Sequence, residues 1–397
     1  MKKIIFTALL ALAAVAGQAQ VKCHIEGEIL SDKYGDKVVI CEFGLDQRIH
    51  DDPSIYVKAV NGKFSTTVES GCIKMYEIYL KGEYDKGTLR VSYFLLENGT
   101  VRVIFPKDDE KAITWTSDGE EGYKIQMLNT MLREKFYNSG DSIDFLLESS
   151  EHRAEYVDTV KRELTEKGKL LMKKRQELYN DGLDFEYNYL SKHPMIWTLY
   201  ETLKSLEILK NAHRYSDLDP TRWERYVKLY HDKLYKLYPN HPIHEQIATL
   251  EKACRLQPDK PYIDYNVRNT DGQIVPISSL IRGKVALIDL WASWCGPCRK
   301  HSKDMIPVYE KYKDKGFTVV AIARERNRED MENAAQKDGY PWPSLLELRD
   351  ENKIWLKNGI GGGGGAMFLI DRDGTILSTS TDAEELEPLI KKALNLE

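Results

Sequence analysis

Two cysteines, Cys295 and Cys298, stand in the sequence Cys-Gly-Pro-Cys, and their surroundings suit redox chemistry. They follow the apolar run 285–290, which is short enough to be a buried parallel strand. Residues 299–315 are rich in Lys, Glu and Tyr and predict a helix. Cys295 is therefore expected at a helix N-terminus, where unpaired backbone N–H groups and the helix dipole favour a thiolate.

The spacing of the two cysteines predicts that they can form a disulfide with each other. Cys298 is expected one turn further along the same helical face, within bonding distance of Cys295. Gly296 and Pro297 stand between them, and a proline in the first helical turn costs nothing because its missing N–H would be unpaired there. The motif therefore predicts a reversible dithiol–disulfide pair.

Three other uses of these cysteines fit the sequence less well. A structural zinc site usually needs a second pair of ligands, and the chain has no other Cys-x-x-Cys, so no metal is expected. Covalent haem attachment needs His directly after the second Cys, where this chain has Arg299. An inert structural disulfide is the third alternative, although a disulfide that closes so short a loop stabilises less than one that closes a long loop.

Residues 257–397 resemble the thioredoxin fold, and specifically the TlpA/ResA-type extracytoplasmic thiol–disulfide oxidoreductases. The matching features are Asp271-Gly272, Gly283-Lys284-Val285, the Trp-Ala-Ser-Trp-Cys-Gly-Pro-Cys-Arg block at 291–299, and Phe368-Leu369-Ile370-Asp371 followed by Asp373-Gly374. The resemblance implies an α/β thioredoxin-like domain that needs no organic cofactor. It also implies protein disulfides as substrates, such as those of apocytochromes, and a membrane-bound electron donor.

By the same resemblance, Asp289 matches the buried acid of thioredoxins. Its neighbours are apolar, which favours a buried carboxyl over a solvated one. Burial raises the pKa of a carboxyl, so Asp289 is expected to exchange a proton with the inner thiol. Cys295 would then attack a partner disulfide, and Cys298, deprotonated with help from Asp289, would resolve the mixed disulfide.

Aromatic and cationic residues flank the motif. Of the two tryptophans, Trp291 and Trp294, one is expected in the core and one at the rim, and Trp294 would shield Cys295 from solvent. Arg299 adds positive charge beside the cysteines, which would stabilise a thiolate.

The chain departs from the family in the loop that normally faces the disulfide. Relatives have a cis-proline just before the last-but-one strand, and this chain has Gly365, the last of five consecutive glycines, followed by Ala366. A cis bond before Gly costs several kcal/mol more than one before Pro, so a trans bond is expected. The loop normally helps to bind the substrate backbone, so Gly365 and Ala366 are the predicted substrate loop, with an altered grip on the substrate.

The first residues predict export. Lys2 and Lys3 precede a short apolar run and small residues, the pattern of a secretory signal peptide over 1–19. The run is too short for a stable transmembrane helix. The sequence has no Cys at the predicted cleavage point, so no lipid anchor is expected there. The expected location is therefore the periplasm or cell envelope, and no membrane-spanning segment is expected.

Composition indicates an ordinary globular protein. Hydrophobic residues make up 42% and charged residues 30% of the chain, and the formal net charge is −5. Loss of the leader removes two lysines and no acids, which changes −5 to −7. This mild acidity argues against nucleic acid as a partner.

Residues 20–118 predict an all-β domain. Residues 21–29 alternate apolar and polar side chains, as in a half-buried strand, and Asn61-Gly62 is a strong signal for a two-residue hairpin. Further strands are expected at 37–43, 54–60, 63–69, 75–80, 91–96 and 100–105. The spacing favours a small sandwich or barrel. The segment resembles the β-rich domain of unknown function that precedes thioredoxin domains in exported proteins of Bacteroidetes-type bacteria.

Residues 119–256 predict a helical spacer or interaction domain. A partial heptad-like spacing of apolar residues from Val157 to Leu178 favours a long amphipathic helix, and prolines from Pro194 onward punctuate shorter helices.

These features together predict an exported disulfide reductase, with two alternatives. The same site could act as an oxidant or isomerase. Alternatively, the domain could be a redox-sensing binding module with weak turnover, which the glycine loop favours. Peroxidase activity is disfavoured, because peroxiredoxins have Thr or Ser three residues before their Cys and this chain has Ala292.

Overall fold

The computed structural model describes residues 20–46, 48–50, 54–88, 90–148, 156–158, 163–212, 219–269, 272–361 and 363–396. The predicted leader lies outside them. The chain forms two compact units. One contains the described residues up to Val39 together with Tyr56–Gln126, and the other contains Ile40–Ile55 together with the chain from Met127 onward. Among the described residues, no helix is long and apolar enough to cross a membrane.

The N-terminal region is rich in β-structure, as predicted. The described residues of this region form the strands β1 Val21–Ile29, β2 Lys37–Glu42, β3 Ile55–Lys58, β4 Lys63–Ser70, β5 Lys74–Leu80, β6 Ser92–Leu96, β7 Gly99–Phe105 and β8 Thr114–Ser117. They form two four-stranded sheets, in the orders β4-β1-β7-β8 and β3-β2-β5-β6. A short helix that the sequence did not predict, α1 at Lys81–Lys86, lies between β5 and β6.

The Asn61-Gly62 turn forms, but the hairpin prediction is wrong beyond it. Asn61 and Gly62 have φ angles of 52° and 75°, and Val60 and Lys63 exchange two backbone hydrogen bonds of 2.8 and 3.0 Å. Beyond that bridge, β4 pairs with β1 while β3 belongs to the other sheet. Turn chemistry fixes the local reversal, whereas the choice of partner strand depends on which face is buried.

The middle of the chain is helical, as predicted. Its helices are α2 Glu120–Leu132, α3 Asn138–Glu148, α4 Glu166–Lys192, α5 Ile196–Asn211, α6 Thr221–Leu229, α7 Tyr235–Leu237 and α8 Ile243–Ala253, with π-helical turns at Arg133–Tyr137 and Tyr230–Leu234.

The long helix starts later than its apolar spacing predicts. Val157 lies in the short strand β9, Tyr156–Asp158, and Leu164 lies in β10, Glu163–Leu164. Thr165 then caps α4, because its hydroxyl accepts a 3.0 Å hydrogen bond from the backbone N–H of Gly168. A Thr cap of this kind fixes where a helix begins.

The C-terminal domain contains a five-stranded sheet of order β15-β14-β13-β16-β17. Its elements are β11 Asn266–Arg268, β12 Ile274–Pro276, α9 Ile277–Ile281, β13 Val285–Trp291, α10 Gly296–Asp304, α11 Ile306–Tyr312, β14 Phe317–Glu325, α12 Arg328–Asp338, β15 Ser344–Leu348, α13 Ile354–Lys357, β16 Ala366–Ile370, β17 Ile376–Ser378 and α14 Ala383–Ala393. β13 is parallel to β14 and antiparallel to β16. This α/β arrangement confirms the predicted thioredoxin-like fold.

β13 is central and buried along its whole length. Its side chains alternate between two apolar clusters, with Leu287 and Trp291 in one and Ile288 and Leu290 in the other. Because both faces of the strand are covered, a substrate can approach β13 at its C-terminal end, where the Cys-Gly-Pro-Cys motif follows.

The helix predicted over 299–315 is broken. α10 ends at Asp304, α11 begins at Ile306, and a 3₁₀ turn follows at Lys313–Lys315. Pro307 explains the break, since it lacks the N–H that would continue the helical hydrogen bonding.

Candidate active site

Cys295 and Cys298 form a disulfide at the N-terminus of α10, where the sequence predicted them. Their Cα atoms are 5.3 Å apart, and their exposed fractions are 7% and 8%. The backbone N–H of Cys298 donates to Sγ of Cys295 at 3.3 Å, so this sulfur caps the helix. Gly296 and Pro297 form the first turn. The N–H groups of that turn would equally stabilise a thiolate at Cys295 in the reduced state. Within the described residues this is the only disulfide.

Asp289 is buried beneath the motif, with 1% exposure. The hydroxyl of Ser302 donates to its carboxylate at 2.7 Å, and the same hydroxyl lies 3.1 Å from the carbonyl oxygen of Cys298. Burial raises the pKa of Asp289 to about 7, and the hydrogen bond from Ser302 opposes that rise. Both protonation states of the carboxyl are therefore accessible near neutral pH, which suits proton exchange.

The two tryptophans occupy the predicted environments. Trp291 is fully buried and packs edge-on against Tyr340, with ring centroids 5.1 Å apart. Trp294 is partly buried and packs against the apolar cluster that contains both cysteines. Trp294 is thus the rim residue next to Cys295.

Arg299 is engaged in an ion pair. Its Nε and Nη2 atoms donate to the two carboxylate oxygens of Asp338 at 2.6 and 2.9 Å, and Nη1 donates to the carbonyl oxygen of Ser293 at 3.1 Å. The guanidinium therefore joins α10 to the end of α12 and to the loop before Cys295. Its predicted effect on the thiolate remains a prediction, and the Asp338 carboxylate offsets part of its charge.

Glu325 is a site residue that the sequence reasoning missed. It lies at the end of β14 with 1% exposure, and its carboxylate accepts hydrogen bonds from the backbone N–H of Ser293 and, at 2.8 Å, from the Ser293 hydroxyl. Burial raises the pKa of Glu325. These bonds hold the loop between β13 and Cys295. The signal that could have found it is the pair Arg324-Glu325 at the end of an apolar strand, since buried charges need partners.

Gly365 lies against the disulfide. A Cβ atom built at Gly365 would be 1.8 Å from the carbonyl oxygen of Leu290 and 3.2 Å from Sγ of Cys298, so only glycine fits. Ala366 follows, paired with Leu290 in the sheet. Trp355 fixes the loop, because its Nε1 donates to the carbonyl oxygen of Gly364 at 2.8 Å. All peptide bonds of the described residues are trans, as predicted before Gly365.

Comparisons with known proteins match this domain. Residues 258–379 match the AhpC/TSA family. The thiol-disulfide oxidoreductase ResA of Bacillus thuringiensis is 28% identical over 141 residues, which cover 35% of this chain and 79% of that protein. A probable phospholipid hydroperoxide glutathione peroxidase of Solanum lycopersicum is 30% identical over 157 residues, covering 34% of this chain and 92% of that protein. The solved thioredoxin domain of a thiol-disulfide oxidoreductase from Bacteroides vulgatus is 26% identical with a TM-score of 0.32, and covers 35% of this chain and 99% of that chain.

A Cys-x-x-Cys pair at the start of the helix after the central strand of such a sheet defines the thioredoxin-like class, and through its C-terminal domain the chain belongs to the thioredoxin-like superfamily. Within that superfamily it is related to the ResA/TlpA-type proteins and is a thiol–disulfide oxidoreductase. The predicted resemblance of residues 20–118 to a Bacteroidetes-type β-rich domain remains a prediction, and so do the sequence-based domain boundaries.

Proposed function

We propose that this chain is an exported thiol–disulfide oxidoreductase that reduces disulfides of exported proteins. The observation that supports this most directly is the Cys295–Cys298 pair at a helix N-terminus above a buried carboxyl, Asp289. The N-terminus favours a thiolate at Cys295, and the carboxyl can accept or return a proton in the interior.

Reduction proceeds in two exchanges. The Cys295 thiolate attacks one sulfur of the substrate disulfide, which forms a mixed disulfide and releases the first substrate thiolate. Cys298 passes its proton to Asp289, attacks Sγ of Cys295 and releases the second substrate thiolate. Two electrons have then moved to the substrate, and the Cys295–Cys298 disulfide is left for re-reduction by a dithiol donor.

The resemblance to TlpA/ResA-type proteins supports a membrane-bound electron donor and substrates such as apocytochromes. Export is supported by the signal-peptide pattern of residues 1–19. The loop of Gly365 and Ala366 would contact the substrate backbone beside the disulfide. The β-rich and helical parts would serve as docking or spacer modules.

The reduction potential of the Cys295–Cys298 pair, equilibrated against glutathione or dithiothreitol buffers, tests the direction of electron flow. A potential of about −250 mV or lower is expected of a reductase supplied by a membrane donor. A potential of roughly −120 mV would instead indicate an oxidant. Failure to form the disulfide reversibly would favour the redox-sensing binding module.

Turnover of insulin disulfides tests the activity itself. The chain is expected to reduce insulin with dithiothreitol as electron donor, and Cys295→Ser is expected to abolish the reaction. An organic hydroperoxide serves as the comparison substrate, because the tomato relative is named a peroxidase. Faster consumption of the hydroperoxide than of insulin would contradict the proposal.

A further inference from the structure

A turn far upstream in the sequence lies next to the redox site. Residues Ile40–Ile55 belong to the same compact unit as the thioredoxin-like domain. Within this segment, the guanidinium carbon of Arg48 lies 3.9 Å from the centre of the Trp294 ring, and Trp294 directly precedes Cys295. Arg48 Nη2 also lies 3.9 Å from a Cβ position built at Gly363, in the glycine loop. Arg48 therefore lies between Trp294 and the run of glycines that leads to the predicted substrate loop.

The turn holds Arg48 in place locally. The N–H groups of Ile49 and His50 both donate to the carbonyl oxygen of Asp46 at 3.0 Å, and Ile49 is fully buried. The Asp46 carboxylate accepts hydrogen bonds from the backbone N–H, Nε and Nη2 of Arg48 at 3.0, 2.8 and 2.8 Å. A guanidinium held by a fork of hydrogen bonds and an aromatic face has little freedom to turn.

A buried ion network fixes the turn to the domain. Arg324 donates to Asp46 at 3.1 Å and, through two nitrogens, to Asp350, while His50 lies 3.1 Å from Asp350. The side chains of Arg324 and Asp46 are 5% and 3% exposed, whereas that of Arg48 is 38% exposed. Arg48 and Arg324 together balance the two carboxylates of Asp46 and Asp350, but the charges are not equally exposed. The side chains of Asp46 and Asp350 are 3% and 19% exposed, so the part of the network that faces solvent most openly beside Trp294 is the Arg48 guanidinium.

We propose that Arg48 is a specificity-determining residue of the thiol–disulfide exchange, and that it favours substrate disulfides flanked by acidic side chains. A guanidinium attracts a carboxylate by its charge, and Arg48 stacks on Trp294, the residue directly before the attacked cysteine, beside Gly363 of the glycine loop. This inference deepens the proposed function and rests on it for the nature of the substrate.

The first test measures the charge at Cys295 without any turnover. The reduced full chain is alkylated with iodoacetate, an anion, or with iodoacetamide, its neutral counterpart. In both cases the Cys295 thiolate forms a thioether and releases iodide, and mass spectrometry quantifies the peptide that contains Cys295. The ratio of the two rates cancels any change in thiolate population, because both reagents need the same thiolate.

Arg48→Gln is expected to lower the iodoacetate-to-iodoacetamide ratio about threefold, the effect of one partly exposed charge. Arg48→Lys is expected to keep the ratio, because it keeps the charge. Arg328→Gln, in an exposed ion pair with Glu332 on α12, is the matched control and is expected to change nothing.

The second test uses two peptides, each with one internal disulfide, flanked by Glu in one and by Gln in the other. The wild-type chain is expected to reduce the Glu peptide about threefold faster in kcat/KM, and Arg48→Gln is expected to remove that preference. An unchanged preference in Arg48→Gln would overturn the proposal. An equal rise of the iodoacetate and iodoacetamide rates in Arg48→Gln would also overturn it, because Arg48 would then only shield the Cys295 sulfur from both reagents. If the wild type reduces neither peptide while the alkylation ratio still follows charge, the proposed function fails and the effect of Arg48 at Cys295 stands.

Discussion

At the scale of single residues, Asp289 should make the stability of the protein depend on pH. An aspartate in an unfolded chain has a pKa near 3.9, whereas burial raises the pKa of Asp289 to about 7. Between these values the folded state binds one proton more than the unfolded state, so the free energy of unfolding falls as the pH rises through that window. A shift of this size corresponds to a loss of about 4 kcal/mol across it.

Asp289→Asn is therefore expected to stabilise the oxidised protein at pH 8 by about 2 kcal/mol or more, because the neutral amide has no charge to bury. This gain in stability over wild type should disappear below pH 4. Urea unfolding at a series of pH values measures the free energy of unfolding of both proteins. Asp304→Asn, a partly exposed aspartate on α10, is the control. If the free energies of unfolding of wild type and Asp289→Asn changed in parallel with pH, ionisation of Asp289 would not be the cause of the pH dependence.

At the scale of elements, the glycine loop and β13 are in such close contact that one methyl group added at Gly365 should force them apart. A Cβ atom at Gly365 would be 1.8 Å from the carbonyl oxygen of Leu290 on β13. Gly365→Ala is expected to cost on the order of 3 kcal/mol in free energy of unfolding, since β16 must move away from β13. Gly361→Ala is the matched control, because nothing lies within 4 Å of the corresponding Cβ position. Equal effects of the two substitutions in chemical unfolding would refute this account.

The elements that position the cysteines were predictable from sequence because their signals are local. The apolar run of β13, the motif itself and the strand β14 follow from residue type and spacing. Element limits were less predictable: the break before Pro307 and the start of α4 at Thr165 each depend on one residue that overrides a longer apolar pattern. The choice of sheet partner for β4 depends on burial in three dimensions, which the Asn61-Gly62 turn does not encode.

At the scale of the whole molecule, charged residues distant in sequence meet around the site, and no local pattern pairs them. Arg324 is buried between Asp46 and Asp350. The sequence marks Arg324 only as a charge at the end of an apolar strand, and its partner Asp46 is 278 residues away. This is why the sequence could have indicated that Glu325 belongs to the site, but not that Arg48 and Asp46 lie beside it.

Arg324→Met should release the upstream turn from the thioredoxin-like domain. Removing the cation leaves Asp46 with Arg48 and Asp350 with His50 as partners, but it takes away the buried guanidinium that joins the two carboxylates, at an expected cost of about 3 kcal/mol. Hydrogen exchange should accelerate at the Ile49 amide, which donates to Asp46 within the turn. Arg328→Met on α12 provides the control. Unchanged exchange at Ile49 would show that the network does not hold the turn.

The close contact at Gly365 also limits how this protein can evolve. Any single substitution there introduces a Cβ atom that collides with the Leu290 carbonyl, and proline, which the resemblance to TlpA/ResA-type proteins predicts at this position, is no exception. A lineage with this backbone is not expected to acquire proline there in a single step, because β13 or the loop must first shift. Glycine at position 365 is therefore expected to be entrenched, and sequences intermediate between a glycine form and a proline form should carry compensating changes around Leu290 before they change at position 365.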